Sequence, residues 1–196
     1  VMVSYNSAHC FARQGALLRA CPHVIVVDNG SDDGSAQQVS RHLPQARVLA
    51  LPRNLGFGAA NNRGLAQVAT PFALLLNPDC DMQPQAIAAL LEAARRWPDA
   101  AIVAPQLVEA GGGAEVNYRF ALTDWPARGA GAVGECCVGF VCGAAMLWRM
   151  ERFTGVGWFD ERFFLYYEDD DLCLRLKQAR RPMIIAPQVR ARHRSR

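Results

Sequence analysis

The feature that most constrains this chain is an alternation. Short apolar runs, many of them β-branched, are separated by stretches with helical spacing. Val1 to Tyr5, His23 to Val27, Arg47 to Leu51, Pro71 to Leu76 and Ala101 to Ala104 read as strands. Between them Ala8 to Ala20, Ser35 to Leu43, Gly56 to Ala69 and Pro84 to Trp97 read as helices. Strands apolar along their whole length, separated by helices of about 10–15 residues, predict a mostly parallel sheet with helices on both faces. The expected fold class is therefore α/β and Rossmann-like. A length of 196 residues, 51% of them hydrophobic, suits one well-packed domain. Such sheets bind ligands at the carboxyl ends of their strands, so the residues that follow each strand carry the functional reading.

After the strand ending at Val27 comes DNGSDDGS (28–35). It half-matches a calcium loop, but Ser40 stands where the twelfth-position Glu is needed, which excludes an EF-hand. Asp, Asn, Gly and Ser here supply turn conformations and a cap for the next helix. Asp28 is not needed for that turn and sits where a strand meets a ligand. After the next strand, PRNLGFGAANNRG (52–64) misses the third glycine of the dinucleotide fingerprint, and no phosphate-loop motif exists in the chain. The stretch still offers Arg53 and an amide-rich helix start, suited to phosphate or base contacts. After Leu76 comes Asn77-Pro78-Asp79-Cys80-Asp81. Two aspartates at i,i+2 on extended backbone point the same way, and magnesium or manganese with substrate phosphates suits such a pair.

The second half changes character. Glu109 to Gly134 is rich in Gly and Ala and reads as a long excursion. Cys137 to Arg149 is a strand-like run broken by Gly139 and Gly143, where a glycine marks close approach of a neighbour or ligand. Arg181 to Ala186 reads as a last strand, followed by the arginine-rich tail VRARHRSR, in which His193 reads more readily as a solvated residue than as a ligand.

An aromatic run from Trp158 to Tyr167 leads into four acids, Glu168 to Asp171, at the start of an amphipathic helix. The helix dipole favours carboxylates there. Asp171 and Arg175 are spaced for an i,i+4 ion pair, and Asp170 is expected to face solvent. Asp169 shares a face with Leu172, Cys173 and Leu176 and has no basic residue at i+3 or i+4. An acid on the inward edge of a helix beside aromatics meets the requirement for a general base.

The seven cysteines form no CxxC pair, so a disulfide framework or zinc site is disfavoured and a reducing, cytoplasmic compartment is expected. No apolar run approaches the roughly 20 residues of a membrane span. Net charge is only +3, with arginines crowded at the end. The chain opens on Val-Met-Val, inside a strand and without a signal peptide, so a sequence clipped at one or both ends is expected.

In order, VSYN (3–6), VVDNGSDDGS (26–35), RNLGFGAANNRG (53–64), LLLNPDCD (74–81), CGAAMLWRM (142–150) and GWFDERFFLYYEDDDLCLRL (157–176) resemble the family 2 glycosyltransferases, and among them the rhamnosyltransferase-like branch. The resemblance spans nearly the whole chain. It implies a GT-A fold, with residues 1–105 as the nucleotide-sugar half and 106–196 as the acceptor and catalytic half. It further implies a UDP- or dTDP-sugar donor, Mg2+ or Mn2+, inversion at the sugar carbon, and an acceptor hydroxyl on a glycan or lipid-linked glycan. A role in cell-envelope polysaccharide synthesis would follow, with no nucleic-acid partner and room for association with the inner face of a membrane.

Carried over residue by residue, the resemblance puts Ser4, Tyr5, Asn6 and Asp28 in the base pocket and Arg53, Asn54, Gly56, Phe57 and Asn61 around the nucleotide. Asp79 and Asp81 match the DxD pair, with Asp81 as the direct metal ligand and His193 near metal and diphosphate. Gly143 and Ala144 match the turn near donor sugar and acceptor. Glu168 and Asp169 match the ED pair, with Asp169 as the base. Asp170 stands where a small apolar residue is common. Two other classes share parts of the pattern. A nucleotidyltransferase would also pair carboxylates with magnesium, and a non-catalytic nucleotide-sugar-binding module would keep Asp28 and the DxD without needing Asp169.

Overall fold

Three parallel strands start the chain: β1 (Met2–Ser4), β2 (Ile25–Asp28) and β3 (Arg47–Ala50). In this computed structural model, which describes residues 1–109, 111–115, 117–121 and 131–194, they are separated by α1 (Phe11–Arg19) and α2 (Ser35–His42). Val26 and Val27 of β2 are wholly buried, as the unbroken apolar run requires. Then follow α3 (Phe57–Leu65), β4 (Phe72–Leu76), the two-residue β5 (Cys80–Asp81), α4 (Pro84–Arg96) and β6 (Ile102–Val108). Pro84 opens α4, where its missing N–H costs nothing, and Leu90, Ala93 and Ala94 form the buried stripe. β1 meets β4 edge to edge: the amine of Val1 donates to the Leu74 carbonyl at 2.8 Å and the Leu76 amide to the Val1 carbonyl at 3.1 Å.

Beyond β6 come β7 (Tyr118–Arg119), β8 (Cys136–Val138), β9 (Phe140–Val141), β10 (Ala145–Arg149), α5 (Glu168–Gln178) and β11 (Met183–His193). The α/β expectation holds, with a sheet that is mixed rather than mostly parallel. β10 runs antiparallel between β4 and β6, whereas β11 runs parallel to β6. A parallel return needs a crossover of a dozen or more residues, usually a helix. Between β6 and β10 the described residues hold only short strands. Much of the expected Gly- and Ala-rich excursion, residues 110, 116 and 122–130, lies outside the described residues.

The expected final strand was too short. β11 passes an irregularity between Ala186 and Arg190 and continues to His193. Val189 and Ala191 are buried while Arg190 and Arg192 are exposed, the period of two of a half-buried strand. The arginines disguised that alternation as a charged tail. His193 consequently belongs to the sheet and not to a solvated terminus.

Candidate active site

The turns after β1, β2, β3 and β4, together with the aromatic loop before α5, enclose a cleft of about 980 Å3. Tyr5, Asn6, Asn54, Gly56, Phe57 and Asp79, all singled out from sequence, line it. Phe164 and Leu165 of the aromatic run expected beside the base also line it, as do Asn29 and Arg194, which the sequence does not single out. Asn29 is the organiser. Its Nδ2 donates to Asn54 Oδ1 at 2.8 Å and to the Gly56 carbonyl at 3.2 Å, and its Oδ1 accepts the Leu55 amide at 2.9 Å. Gly56 has φ 91, and a Cβ there would lie 2.3 Å from the Phe164 carbonyl oxygen. Only glycine fits. The Phe57 amide donates to that same carbonyl at 2.9 Å, joining the start of α3 to the aromatic loop.

The other residues assigned to the nucleotide are placed less directly. Ser4 and Asp28 pair across the ends of β1 and β2, both buried and neither among the residues lining the cleft. Asp28 Oδ1 accepts the Ser31 hydroxyl at 2.5 Å, and Ser31 Oγ accepts the Asn6 amide at 3.0 Å. Asp28 thereby braces the loop that carries Asn6. Arg53 is exposed, and Asn61 is spent inside α3, donating to the Phe57 carbonyl at 3.1 Å. Its neighbour Asn62 does more for the site. Asn62 Nδ2 donates to the Phe159 carbonyl at 2.9 Å and Asn62 Oδ1 accepts the Phe159 amide at 3.2 Å, fastening α3 to the aromatic stretch.

The two aspartates of the DxD do not point the same way. The Cys80 amide donates to the Asn77 carbonyl at 3.0 Å, so Asp79 lies in a turn and not on extended backbone. Asp79 lines the large cleft, whereas Asp81 lines a second one of about 500 Å3 with Arg13, Arg190 and Arg192. Arg194 holds Asp81 Oδ2 through Nη2 at 3.1 Å and Nε at 3.2 Å. His193 joins Asp79, with its Nε2 3.7 Å from Asp79 Oδ1. Its Nδ1 is 3.1 Å from each carboxylate oxygen of Glu115. A carboxylate on one ring nitrogen that frees the other for a cation is the usual setting of a metal-binding histidine. Among the described residues no group of three or more His, Cys, Asp or Glu could hold a metal by itself. Asp79 and His193 offer two ligands at most, so a cation held there would need further ligands such as substrate phosphates. Glu115 is 78 residues from His193, a separation that leaves no mark in sequence spacing.

Four acids open α5, and the structure gives them different surroundings. Asp169 Oδ2 accepts the Gly143 amide at 3.1 Å and Oδ1 the Asp170 amide at 3.0 Å. Burial raises its pKa above the ordinary carboxylate value, and the nearby Asp170 charge adds to the rise. A Cβ on Gly143 would stand 3.2 Å from the Phe57 ring and 3.8 Å from Asp169 Oδ2, so the glycine lets turn, ring and carboxylate close together. Ala144 is buried behind it, its carbonyl accepting the Asn77 amide at 2.9 Å. Glu168 is buried too, its Oε2 without a hydrogen-bond partner, and desolvation followed by the charges of Asp169 and Asp170 raises its pKa. Asp171 makes the expected pair, Oδ2 accepting from Arg175 Nε at 2.8 Å. Asp170 departs from expectation. It is half-buried and bonded to the guanidinium of Arg119, 51 residues away.

Residues 1–150 match the profile of the family described as Glycosyl transferase family 2. The chain belongs to that family. Over 201 aligned residues it is 32% identical to an N-acetylglucosaminyl-diphospho-decaprenol L-rhamnosyltransferase of Mycobacterium tuberculosis, covering 87% of this chain and 66% of that protein. The fold of this family 2 chain is GT-A. Residues 1–349 of S. aureus TarS superpose with a TM-score of 0.73 at 14% identity over 98% of this chain and 59% of that fragment. A Pyrobaculum calidifontis mannosyltransferase in complex with GDP-Man and Mn2+ gives 0.72 at 13% identity, over 98% of this chain and 55% of that one. GalNAc-T7 with UDP, GalNAc and Mn2+ gives 0.75 at 12%, over all of this chain and 43% of that one.

Proposed function

We propose that this family 2 chain is an inverting glycosyltransferase that moves a sugar, rhamnose in our reading, from a dTDP- or UDP-sugar to a hydroxyl of a glycan or lipid-linked glycan. The observation that carries it is Asp169: a half-buried carboxylate of raised pKa, fixed by two backbone amides at a helix start, on the Gly143 turn beside Phe57 of the cleft wall. One oxygen on each amide holds the carboxylate still. Its burial makes it a better proton acceptor than an exposed aspartate. An acceptor hydroxyl placed against it loses its proton as its oxygen attacks the sugar carbon opposite the diphosphate, the geometry of inversion. General-base assistance of this kind contributes about 10²–10⁴-fold.

Residues 1–105 hold the nucleotide in this reading, with Tyr5, Asn6, Asn29 and Asn54 on the cleft wall and Asp28 behind them. Residues 106–196 receive the acceptor and supply the base, with Gly143 and Ala144 beside the donor sugar. Asp79 and His193 would hold Mg2+ or Mn2+, and a divalent ion there supplies charge neutralisation for the leaving diphosphate. A lipid-linked acceptor would bring the chain to the inner face of a membrane; among the described residues no helix is long and apolar enough to cross one. Incubation with a panel of nucleotide sugars and acceptors, with manganese or EDTA, tests the proposal. Transfer from dTDP-rhamnose to an N-acetylglucosaminyl diphosphate supports it. Pyrophosphate exchange without transfer would make the protein a nucleotidyltransferase, and binding without turnover a nucleotide-sugar-binding module.

A further inference from the structure

Immediately before α5 the chain exposes four large side chains in succession. Phe164, Leu165, Tyr166 and Tyr167 are 58%, 52%, 72% and 71% exposed. A contiguous exposed run of this kind marks an interaction site more often than isolated surface apolar residues do. The backbone beneath it is strained. Tyr166 and Tyr167 have φ of 69 and 68, the left-handed region that side chains other than glycine and asparagine rarely occupy. The loop is held on both sides, by the Phe57 amide on the Phe164 carbonyl at 2.9 Å and by the Asp171 amide on the Tyr167 carbonyl at 2.9 Å.

The turn into α5 explains the backbone but not the residues. Two glycines would make it without strain. Packing does not explain them either, since both rings are exposed. Backbone strain that no packing repays points to a use for the side chains themselves. Phe164 and Leu165 line the large cleft, whereas Tyr166 and Tyr167 are not among its lining residues. Their partner therefore approaches from outside the donor cleft. Tyr167 lies two residues before Asp169, so the backbone that carries the exposed rings is within about 7 Å of the backbone that carries the base.

We propose that Tyr166 and Tyr167 form a stacking platform for a pyranose ring of the acceptor, presenting its hydroxyl to Asp169. This deepens the reading given above and rests on it. A pyranose has a face of C–H groups, which suits the electron-rich face of an aromatic ring, and hydroxyls around its edge, which suit a phenol. Tyrosine supplies this contact with little conformational freedom to lose on binding.

The test uses the full chain saturated with dTDP and the diamagnetic Mg2+. Saturation-transfer NMR measures contact with the ring protons of methyl glycosides of N-acetylglucosamine, glucose, galactose and mannose. Calorimetry measures dTDP affinity, and KM is taken for a water-soluble N-acetylglucosaminyl diphosphate with dTDP-rhamnose as donor. The double variant Tyr166→Gly/Tyr167→Gly keeps the turn and removes the rings. It should lose the ring-proton signal and raise the acceptor KM about tenfold or more with dTDP affinity unchanged. Tyr166→Phe/Tyr167→Phe should keep both. Absence of saturation on every glycoside with the wild-type protein would overturn the platform. So would a glycine variant that binds them normally, or a phenylalanine variant as impaired as the glycine one. A defect confined to acceptor embedded in lipid vesicles, with the soluble acceptor unaffected, would overturn it in favour of a membrane contact. Failure to use dTDP-rhamnose defeats the donor assignment alone, because the NMR comparison between variants does not depend on turnover.

Discussion

Arg119 of β7 reaches the start of α5 and bonds the carboxylate of Asp170. Its guanidinium is nearly buried and lies 3.9 Å from the centroid of the Phe140 ring. Four adjacent carboxylates on one helical turn repel one another. The cation meets the one that would otherwise face outward, tying β7 to a helix whose inward face is also set by the buried Leu172, Cys173 and Leu176. Asp169 lies toward Gly143.

Asp170 is therefore structural. Asp170→Ala removes a carboxylate from a buried guanidinium and should destabilise the fold by about 1–3 kcal/mol, less than a fully buried pair because Asp170 is a third exposed. Asp170→Asn keeps a hydrogen bond and should lose less. Asp171→Asn should cost about 0.5–1 kcal/mol, since Arg175 also donates to the carbonyls of Val156 at 3.0 Å and Trp158 at 2.6 Å. Urea unfolding of the three variants gives the order. An Asp170→Ala protein as stable as wild type would show that the tie to Arg119 does not hold the helix.

Metal dependence should follow Asp79 and not Asp81. Nucleotide diphosphate is expected to raise the melting temperature more with Mn2+ than with EDTA. Asp79→Asn and His193→Ala should abolish that increment, while Asp81→Asn, whose carboxylate is bound by Arg194 and lines the other cleft, should keep it. Thermal-shift curves on the three variants decide this. Loss of the increment in Asp81→Asn alone would return the metal to Asp81.

What was legible in the sequence was local. The strand and helix alternation, the start of α4 at Pro84, the Asp171 and Arg175 pair and the inward face of Asp169 all lie within one element or one turn. What was not legible depends on segments far apart meeting. Arg119 with Asp170 and Glu115 with His193 are separated by 51 and 78 residues. The antiparallel course of β10 is a matter of strand direction, which apolar runs do not encode. At Asp79 a turn bends the backbone, and the alternation of side chains along a strand does not hold there.

Glu168 sets up a pH dependence of stability. Burial raises its pKa above the ordinary 4.5, so the folded state holds its proton more tightly than the unfolded chain does. Such a group contributes stability that is full below the unfolded value and is lost as pH rises through the folded one. Glu168→Gln keeps the neutral shape at every pH. It should melt close to wild type near pH 4 and above it at pH 7, with the gap opening as pH rises. Denaturation across that range checks the sign, and a variant less stable at pH 7 than at pH 4 relative to wild type would mean that the carboxylate finds a cationic partner when charged.

Asp169→Asn carries the mechanism. Asparagine still accepts the Gly143 amide through its oxygen, so the turn and the donor cleft should be undisturbed. It has no basicity to offer. Transfer should fall about 10²-fold or more while donor affinity stays within about twofold, the pattern of an interaction used only in the transition state. In the wild-type protein the acid limb of kcat/KM should rise as Asp169 loses its proton. Its midpoint should lie above the ordinary 3.8, since burial holds that proton on. The variant should lose that limb. Transfer rates over pH, with donor dissociation constants from calorimetry, separate this from a folding defect. If Asp169→Asn transferred normally with the limb intact, the base would be another group, and Glu168, one residue earlier in the same turn and also of raised pKa, would be the next to test.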